Sequence, residues 1–436
     1  MSSVLTWTEA PAGAVGSARL RALQASHHAM WNYVTYRDAI GLLGLDPSEL
    51  YPEGATRLPA GWTDLGWLTC FCGPPPAAVE AMRAAVTAET LNQYTPDLIE
   101  PLRDEAARLL ERARDAEFEV VGCEGAQAGI ALALLAGIDP GDEVIVADPG
   151  YFHVPSAVIA AGGRPVTVPA RPRMDPDAVA GALGPRTRAV VVVDPSNPYG
   201  TVLSDEELGA LSSLAERHGL LLIHDVTHGA LVLEDGERRA AMAPGAVATF
   251  SVSHCWGMAG ARIGFLAGPR ALMRGCLQVK AAITRLNTSL VAQHGALAAL
   301  RDEAYLPRAE AVIRRNLAAL RLPEGLRLAV RPQRGLACAV QVDTELCSAQ
   351  ELMVALFARH IAVYPGDGLG DSVAADTIRL NLSQPDPAAM EHLRAALPEA
   401  LAEAAGGRWR EPVAALLERK GTPRALRVAE IIRRRP

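Results

Sequence analysis

Three stretches of this 436-residue chain place groups capable of proton transfer or anion binding beside glycines. The first runs from Ser251-Val252-Ser253-His254 through Gly257, Gly260 and Arg262 to Gly264. Two hydroxyls, an imidazole and a guanidinium on one glycine-spaced loop suit an anion held next to an acid–base group, because a guanidinium fork pairs with oxyanions and imidazole titrates near neutrality. The second is Ser196-Asn197-Pro198-Tyr199-Gly200, a rigid turn that carries an amide side chain at the carboxyl end of a strand-like run; Asp225 ends the next run. Doubly wound sheets collect their ligands at such carboxyl ends. The third is Gly125-Ala126-Gln127, which follows a strand-like segment and opens an apolar stretch at 130–135. Backbone N–H groups at a helix start suit a phosphate, and the same three residues also read as an ordinary strand-to-helix turn.

The elements that must position these groups are visible as pattern. Residues 144–147, 189–193 and 220–223 are nearly uninterrupted aliphatic runs, as expected of strands buried on both faces. Between the last two, Ser204-Asp205-Glu206-Glu207 forms a capping box that opens a helix with Leu208, Leu211, Leu214 and Ala215 on one side, and Gly219 stops it. Short apolar runs alternating with helical periods from 119 to 225 predict βαβ units and a parallel sheet. After about residue 300 the pattern turns to helices around shorter strands, such as Ala337–Val342 and 378–382, which predicts a second, α+β domain. The expected organisation is an N-terminal segment, 1–60, packing with a small domain at 301–436, and a large domain at 61–300. The stretch 409–436 has helical periodicity and no assignable chemistry.

Bulk properties exclude several classes. A formal net charge of -7 argues against nucleic-acid binding, which needs clustered Lys and Arg. Arg433, Arg434 and Arg435 read as a solvated tail. The longest apolar stretch, 129–138, is about half of what a bilayer span requires, so no membrane helix is expected. The N-terminus lacks the basic start and apolar run of a secretory leader. Seven cysteines are irregularly spaced, and Cys70-Phe71-Cys72 has no second half for a zinc site; they read as reduced thiols of a cytoplasmic protein. The chain holds only two lysines, Lys280 and Lys420.

The order and spacing of five segments across roughly 70–385 resemble the class I/II aminotransferases, enzymes of the fold type I group that depend on pyridoxal 5′-phosphate (PLP). GIDPGDEVIVADPGY, DPSNPYG, LLLIHDVTHG, SVSHCWGMAGARIGF and IRLNLS are similar to that family's motifs, in the family's order. The resemblance implies an α/β fold, with a large domain built on a mostly parallel sheet flanked by helices and a smaller α+β domain, and a homodimer acting on an amino acid. It also implies roles. Asp225 would pair with the pyridine nitrogen, Asn197 with the ring's phenolic oxygen, and Tyr151 would stack on the ring. Gly125, Ala126, Gln127, Ser251 and Arg262 would hold the phosphate, joined by Tyr94 from the partner subunit. Arg379 would grip the substrate's α-carboxylate. His228 stands where the family commonly has tyrosine and could still donate a hydrogen bond.

In this alignment His254 occupies the place of the family's Schiff-base lysine, and neither Lys280 nor Lys420 falls on a matching position. Imidazole can shuttle a proton but has no primary amine to condense with an aldehyde. The resemblance therefore implies PLP, or its aminated form pyridoxamine 5′-phosphate (PMP), held noncovalently, with His254, Asp225 and His228 as the catalytic set of a transferase or lyase. Certain sugar 3-dehydratases of the superfamily are similar in carrying histidine here, but their substrates lack the carboxylate that Arg379 would bind. Two alternatives stand beside this reading: a standard aminotransferase carrying an engineered lysine-to-histidine substitution, and a non-catalytic PLP-binding or regulatory homologue. A metal site of His224, Asp225, His228 and His254 is disfavoured, because strand alternation turns His224 away from Asp225. His27, His28, Trp31 and Tyr33 read as packing residues that could line a substrate mouth.

Overall fold

The computed structural model describes residues 17–25, 33–50, 57–112, 115–234 and 242–435. His27, His28 and Trp31 lie outside the described residues. The chain divides into two units, one comprising Met1–Leu68, Asn316–Val330 and Ala337–Pro436, the other Thr69–Arg315 and Arg331–Leu336. The first unit receives the short strand β1 (Thr63–Asp64).

The second unit is built on seven strands: β2 (Phe118–Cys123), β3 (Glu143–Asp148), β4 (Arg164–Pro169), β5 (Thr187–Val193), β6 (Leu221–Asp225), β7 (Val247–Ser251) and β8 (Gly264–Pro269). Their order across the sheet is β2-β8-β7-β6-β5-β3-β4. Pairs from β4 through β7 are parallel, and β8 runs antiparallel to both β7 and β2. Period-two alternation sorts the aliphatic runs onto two cores. Val144, Val146, Ala189, Val191 and Ile223 join one, and Ile145, Val190, Val192 and Leu222 join the other. Burial on both faces is the physical reason these strands read as unbroken apolar runs.

Helices cover those faces where the sequence marks their ends. Asp205–His218 is opened by the reciprocal Ser204–Glu207 capping box, carries three acids in its first turn and Arg217 and His218 in its last, and ends on Gly219 at φ 62°. Ala126–Gly137 buries Ala126, Gly129, Ile130, Leu132, Ala133 and Leu134 against the first core. On Arg270–Thr284, Lys280 is 1% exposed. Its Nζ donates to Asp97 and, at 2.8 Å, to the Thr288 hydroxyl, while Asp97 also accepts the Gly122 N–H at 2.9 Å.

The first unit completes its sheet with β9 (Leu326–Leu328), β10 (Ala337–Val342), the two-residue β11 (Ile361–Ala362) and β12 (Tyr364–Pro365), and β13 (Thr377–Asn381). The order β12-β13-β10-β9 is antiparallel throughout, and β1 pairs in parallel with β11. The wholly buried helix Ala349–Phe357 and the helix Ala388–Ala405 belong to the same unit, followed by two further helices, Arg410–Lys420 and Pro423–Arg434. The terminal arginines are not a free tail. Arg433 pairs with Glu411 and Glu418, Arg434 with Glu430, and Arg435 is buried against Glu351. The helix Pro423–Arg434 carries Arg435 to a carboxylate 84 positions away, a pairing no local pattern announces.

Two stability predictions follow from buried charge. Lys280→Met takes the closer of two cations from buried Asp97 and leaves the Arg103 guanidinium, 3.7 Å away; removing one member of a buried ion pair costs about 3–5 kcal/mol, and with Arg103 remaining urea unfolding is expected to show a loss toward the low end of that range. Burial pushes the Asp367 carboxyl up to about 6, against the pull of the Val34 N–H, Gln350, Lys420 and Arg424. A carboxyl raised in the folded state favours folding while protonated, and that contribution fades as pH rises through its folded value. The Tm advantage of Asp367→Asn over the parent is therefore expected to be absent below about pH 4 and to grow up to about pH 6.

Candidate active site

At the carboxyl end of the large sheet two glycines create a close backbone crossing. Gly125 sits between β2 and the helix Ala126–Gly137 at φ 94°, a conformation that side chains disfavour. A Cβ on Gly264, at the start of β8, would lie 2.7 Å from the Gly125 carbonyl carbon, so only glycine lets these two backbone segments touch. Arg262, two residues before Gly264 and itself at φ 50°, reaches over this crossing; its Nη2 donates to the Glu124 carbonyl at 2.7 Å and its Nη1 to the Ala259 carbonyl at 3.0 Å. The amides of Ala126 and Gln127 begin the helix, where N–H groups lack intrahelical acceptors. Ser251, at the end of β7, accepts the Ser253 N–H at 3.3 Å. Helix-start amides, an exposed guanidinium and neighbouring hydroxyls form a donor set that fits a phosphate dianion.

Asp225 ends β6 in register with Val193 of β5 and Thr249 of β7. It is 5% exposed. Burial raises its carboxyl above the ordinary carboxylate range, countered by hydrogen bonds from the Thr227 hydroxyl and the Thr227 N–H, the latter at 3.1 Å. A buried acid with this balance fits a cationic ring nitrogen, whose charge would restore the ionised form. His224, one residue earlier, faces the other way: its Nδ1 accepts the Ala243 N–H at 3.0 Å and its Nε2 lies 3.4 Å from Asp194. Thr227 was not among the sequence candidates, although an aspartate accepting from the backbone two residues on is a local motif that the D-x-T spacing carries.

Asn197 is buried on the turn after β5, which is held by Gly200 N–H to Ser196 O at 2.6 Å and by Ser196 N–H to Thr201 O at 2.8 Å. Tyr151 packs edge-on against Phe152 and His153, and its hydroxyl donates to Gln127 Oε1 at 3.1 Å. That bond ties the ring-stacking candidate to a residue of the candidate phosphate cradle. Burial lowers the neighbouring His153 to about 4, which keeps it neutral. Tyr94 is 72% exposed and stacks under the Arg285 guanidinium, 4.1 Å from the ring centroid.

His254 lies on the turn after β7 and His228 on the turn after β6, with ring centroids 4.5 Å apart and planes inclined by 31°. Cys255 anchors the first turn through a bond from its Sγ to the Thr227 carbonyl at 3.2 Å; burial pushes this thiol up to about 12, so it is inert. Gly335, at φ 86°, passes beside His228: a Cβ built on it would lie 3.4 Å from the His228 Cβ, an ordinary contact distance. In the other unit Arg379 is buried on β13, donates to the Gly66 carbonyl at 3.0 Å and has its guanidinium carbon 4.4 Å from the centre of the Tyr364 ring.

Comparison with known proteins accords with this geometry. The family model for aminotransferase class I and II matches residues 63–397. A probable aspartate/prephenate aminotransferase of Thermus aquaticus is 32% identical over 67% of this chain and 80% of its own length. An arginine–pyruvate transaminase of Pseudomonas aeruginosa is 32% identical over 70% of this chain and 80% of its own. Among solved structures, a double mutant of Thermus thermophilus aspartate aminotransferase has a TM-score of 0.72 at 27% identity, covering 89% of this chain and 100% of that one. The chain belongs to the class I and II aminotransferases, whose members use pyridoxal 5′-phosphate and act on amino-acid substrates. Its α/β fold, with a mostly parallel central sheet, is theirs.

Gly264→Ala is expected to force the Gly125 crossing apart. The predicted loss is about 1–3 kcal/mol of stability, read by denaturant unfolding, together with loss of phosphate affinity at the helix start.

Proposed function

We propose that this protein is a PLP- or PMP-dependent enzyme that acts on an amino acid with the coenzyme held noncovalently, His254 serving as the acid–base group. The observation that carries the reading is the setting of His254, on the turn after β7 and against His228, while both lysines are engaged elsewhere: Lys280 with Asp97 and Thr288, Lys420 with Asp38. When bound, the coenzyme supplies an aldehyde or amine for exchange with substrate and a protonated ring that draws electrons from the substrate's Cα.

The chain's own residues do the rest. Asp225 keeps the proton on the ring nitrogen, Asn197 and His228 donate to the phenolic oxygen, and Tyr151 covers the ring. The amides following Gly125, the Ser251 hydroxyl and the Arg262 guanidinium neutralise the phosphate. Arg379 orients the substrate through its α-carboxylate, and His254 moves a proton to and from Cα, a role typically worth about 100- to 10,000-fold in rate. The names of the relatives, aspartate/prephenate and arginine–pyruvate aminotransferases, support an amino-acid substrate. The exposed Tyr94 suits a residue completed across a homodimer, and seven free cysteines suit the cytoplasm.

Titration with PLP, followed by borohydride reduction and mass spectrometry, tests the reading. Coenzyme absorbance without a covalent adduct is expected, and His254→Lys should acquire an adduct at that position. Asp225→Ala should weaken PLP binding by about 30-fold or more, the usual cost of deleting one member of a buried charged pair. A parent protein that gains no absorbance with PLP or PMP, or that forms an adduct at either lysine, refutes the proposal.

A further inference from the structure

The family match ends at residue 397, inside the helix Ala388–Ala405, and the chain then adds the hairpin of Arg410–Lys420 and Pro423–Arg434. Its bend is tightly specified by Gly421 at φ 67°, Thr422 capping the Ala425 N–H, and Pro423 at the first helical position. An added hairpin that only covered apolar surface would need Val413, Leu417, Val428 and Ile432, which it has. It would not need a guanidinium that is 3% exposed, because burying such a charge costs several kcal/mol unless fixed partners meet it.

Arg424 is that guanidinium, and its partners lie on one turn. Nε donates to Asp371 Oδ1 at 2.5 Å and Nη1 to the Asp367 carbonyl at 2.7 Å, with Arg427 adding a second pair to Asp371 at 2.7 Å. The Asp367 carboxylate in turn accepts the Val34 N–H at 2.8 Å. The turn is wrapped closely around the Tyr364 ring, since a Cβ on Gly368 would lie 2.6 Å from the Tyr364 hydroxyl. Tyr364 is the cross-strand partner of Arg379 and the ring on which that guanidinium rests; Tyr33 also packs against it, ring centroids 5.7 Å apart. A continuous set of contacts therefore runs from Arg424 through the 366–371 turn and Tyr364 to Arg379.

We propose that Arg424 is a positioning residue and the C-terminal hairpin a clamp: by fixing the 366–371 turn it holds Tyr364 beneath Arg379 and so sets the guanidinium for a substrate carboxylate. The proposal rests on the reading of Arg379 as the carboxylate group's partner. The same hairpin supplies its own control, because Arg435 makes a comparable buried pair with Glu351 and a bond to the Leu346 carbonyl, neither of which is on that turn.

The test uses the full-length protein and calorimetric binding of L-amino acids paired with their decarboxylated amines: L-arginine with agmatine, L-phenylalanine with phenethylamine, L-aspartate with β-alanine. Arg424→Ala is expected to reduce the preference for the carboxylated partner at least tenfold. Arg435→Ala should leave that preference within twofold, and Arg424→Lys should restore part of it. Amide exchange across 364–371 should accelerate in Arg424→Ala and not in Arg435→Ala. If Arg379→Ala abolishes the preference while Arg424→Ala does not, the clamp is refuted and the carboxylate reading stands. If Arg379→Ala leaves the preference unchanged, or the parent shows none, both are refuted, and PLP absorbance reports separately on the coenzyme site.

Discussion

A carboxyl group buried at the end of a central strand is the constraint around which the large unit is arranged. Asp225 closes β6 between β5 and β7, and Thr227 meets it with both its hydroxyl and its N–H. Such an acid is costly unless something cationic joins it, so its burial makes sense as half of an interaction. The parallel order of β5, β6 and β7 places the Asn197 turn, the Asp225 end and the Ser251–His254 turn side by side at the carboxyl ends of neighbouring strands. The antiparallel β8 brings Arg262 and Gly264 against Gly125. The anion cradle and the buried acid are thus two products of one strand order.

Much of this was legible in the sequence, and the reasons are local. Strands buried on both faces read as unbroken aliphatic runs, and the helix Asp205–His218 announced both its ends through Ser204, Glu207 and Gly219. Glycines at 125 and 264 were visible as spacing, and the crossing that requires them explains that spacing. The family's order of motifs then connected residues that periodicity alone left separate.

What was hidden depends on distant pairing. The Tyr151–Gln127 bond, the approach of Gly335 to His228 and the burial of Arg435 against Glu351 each join positions with no shared local signal. Arg435 shows the limit most clearly. A run of three arginines reads as solvated because that is the ordinary fate of clustered charge, and only the direction of the preceding helix separates Arg435 from its exposed neighbours. The units also interleave: the short segment Arg331–Leu336 belongs with the large sheet although both of its flanks belong to the other unit.

The scarcity of lysine reaches beyond the site. One of the two ε-amines is sealed inside an ion pair with Asp97, and the other, only 11% exposed, leans on Asp38. Aldehydes that decorate most proteins indiscriminately therefore meet almost no nucleophilic nitrogen on the described side chains. Spectral signals from a carbonyl compound added to this protein would carry little background from adventitious imines.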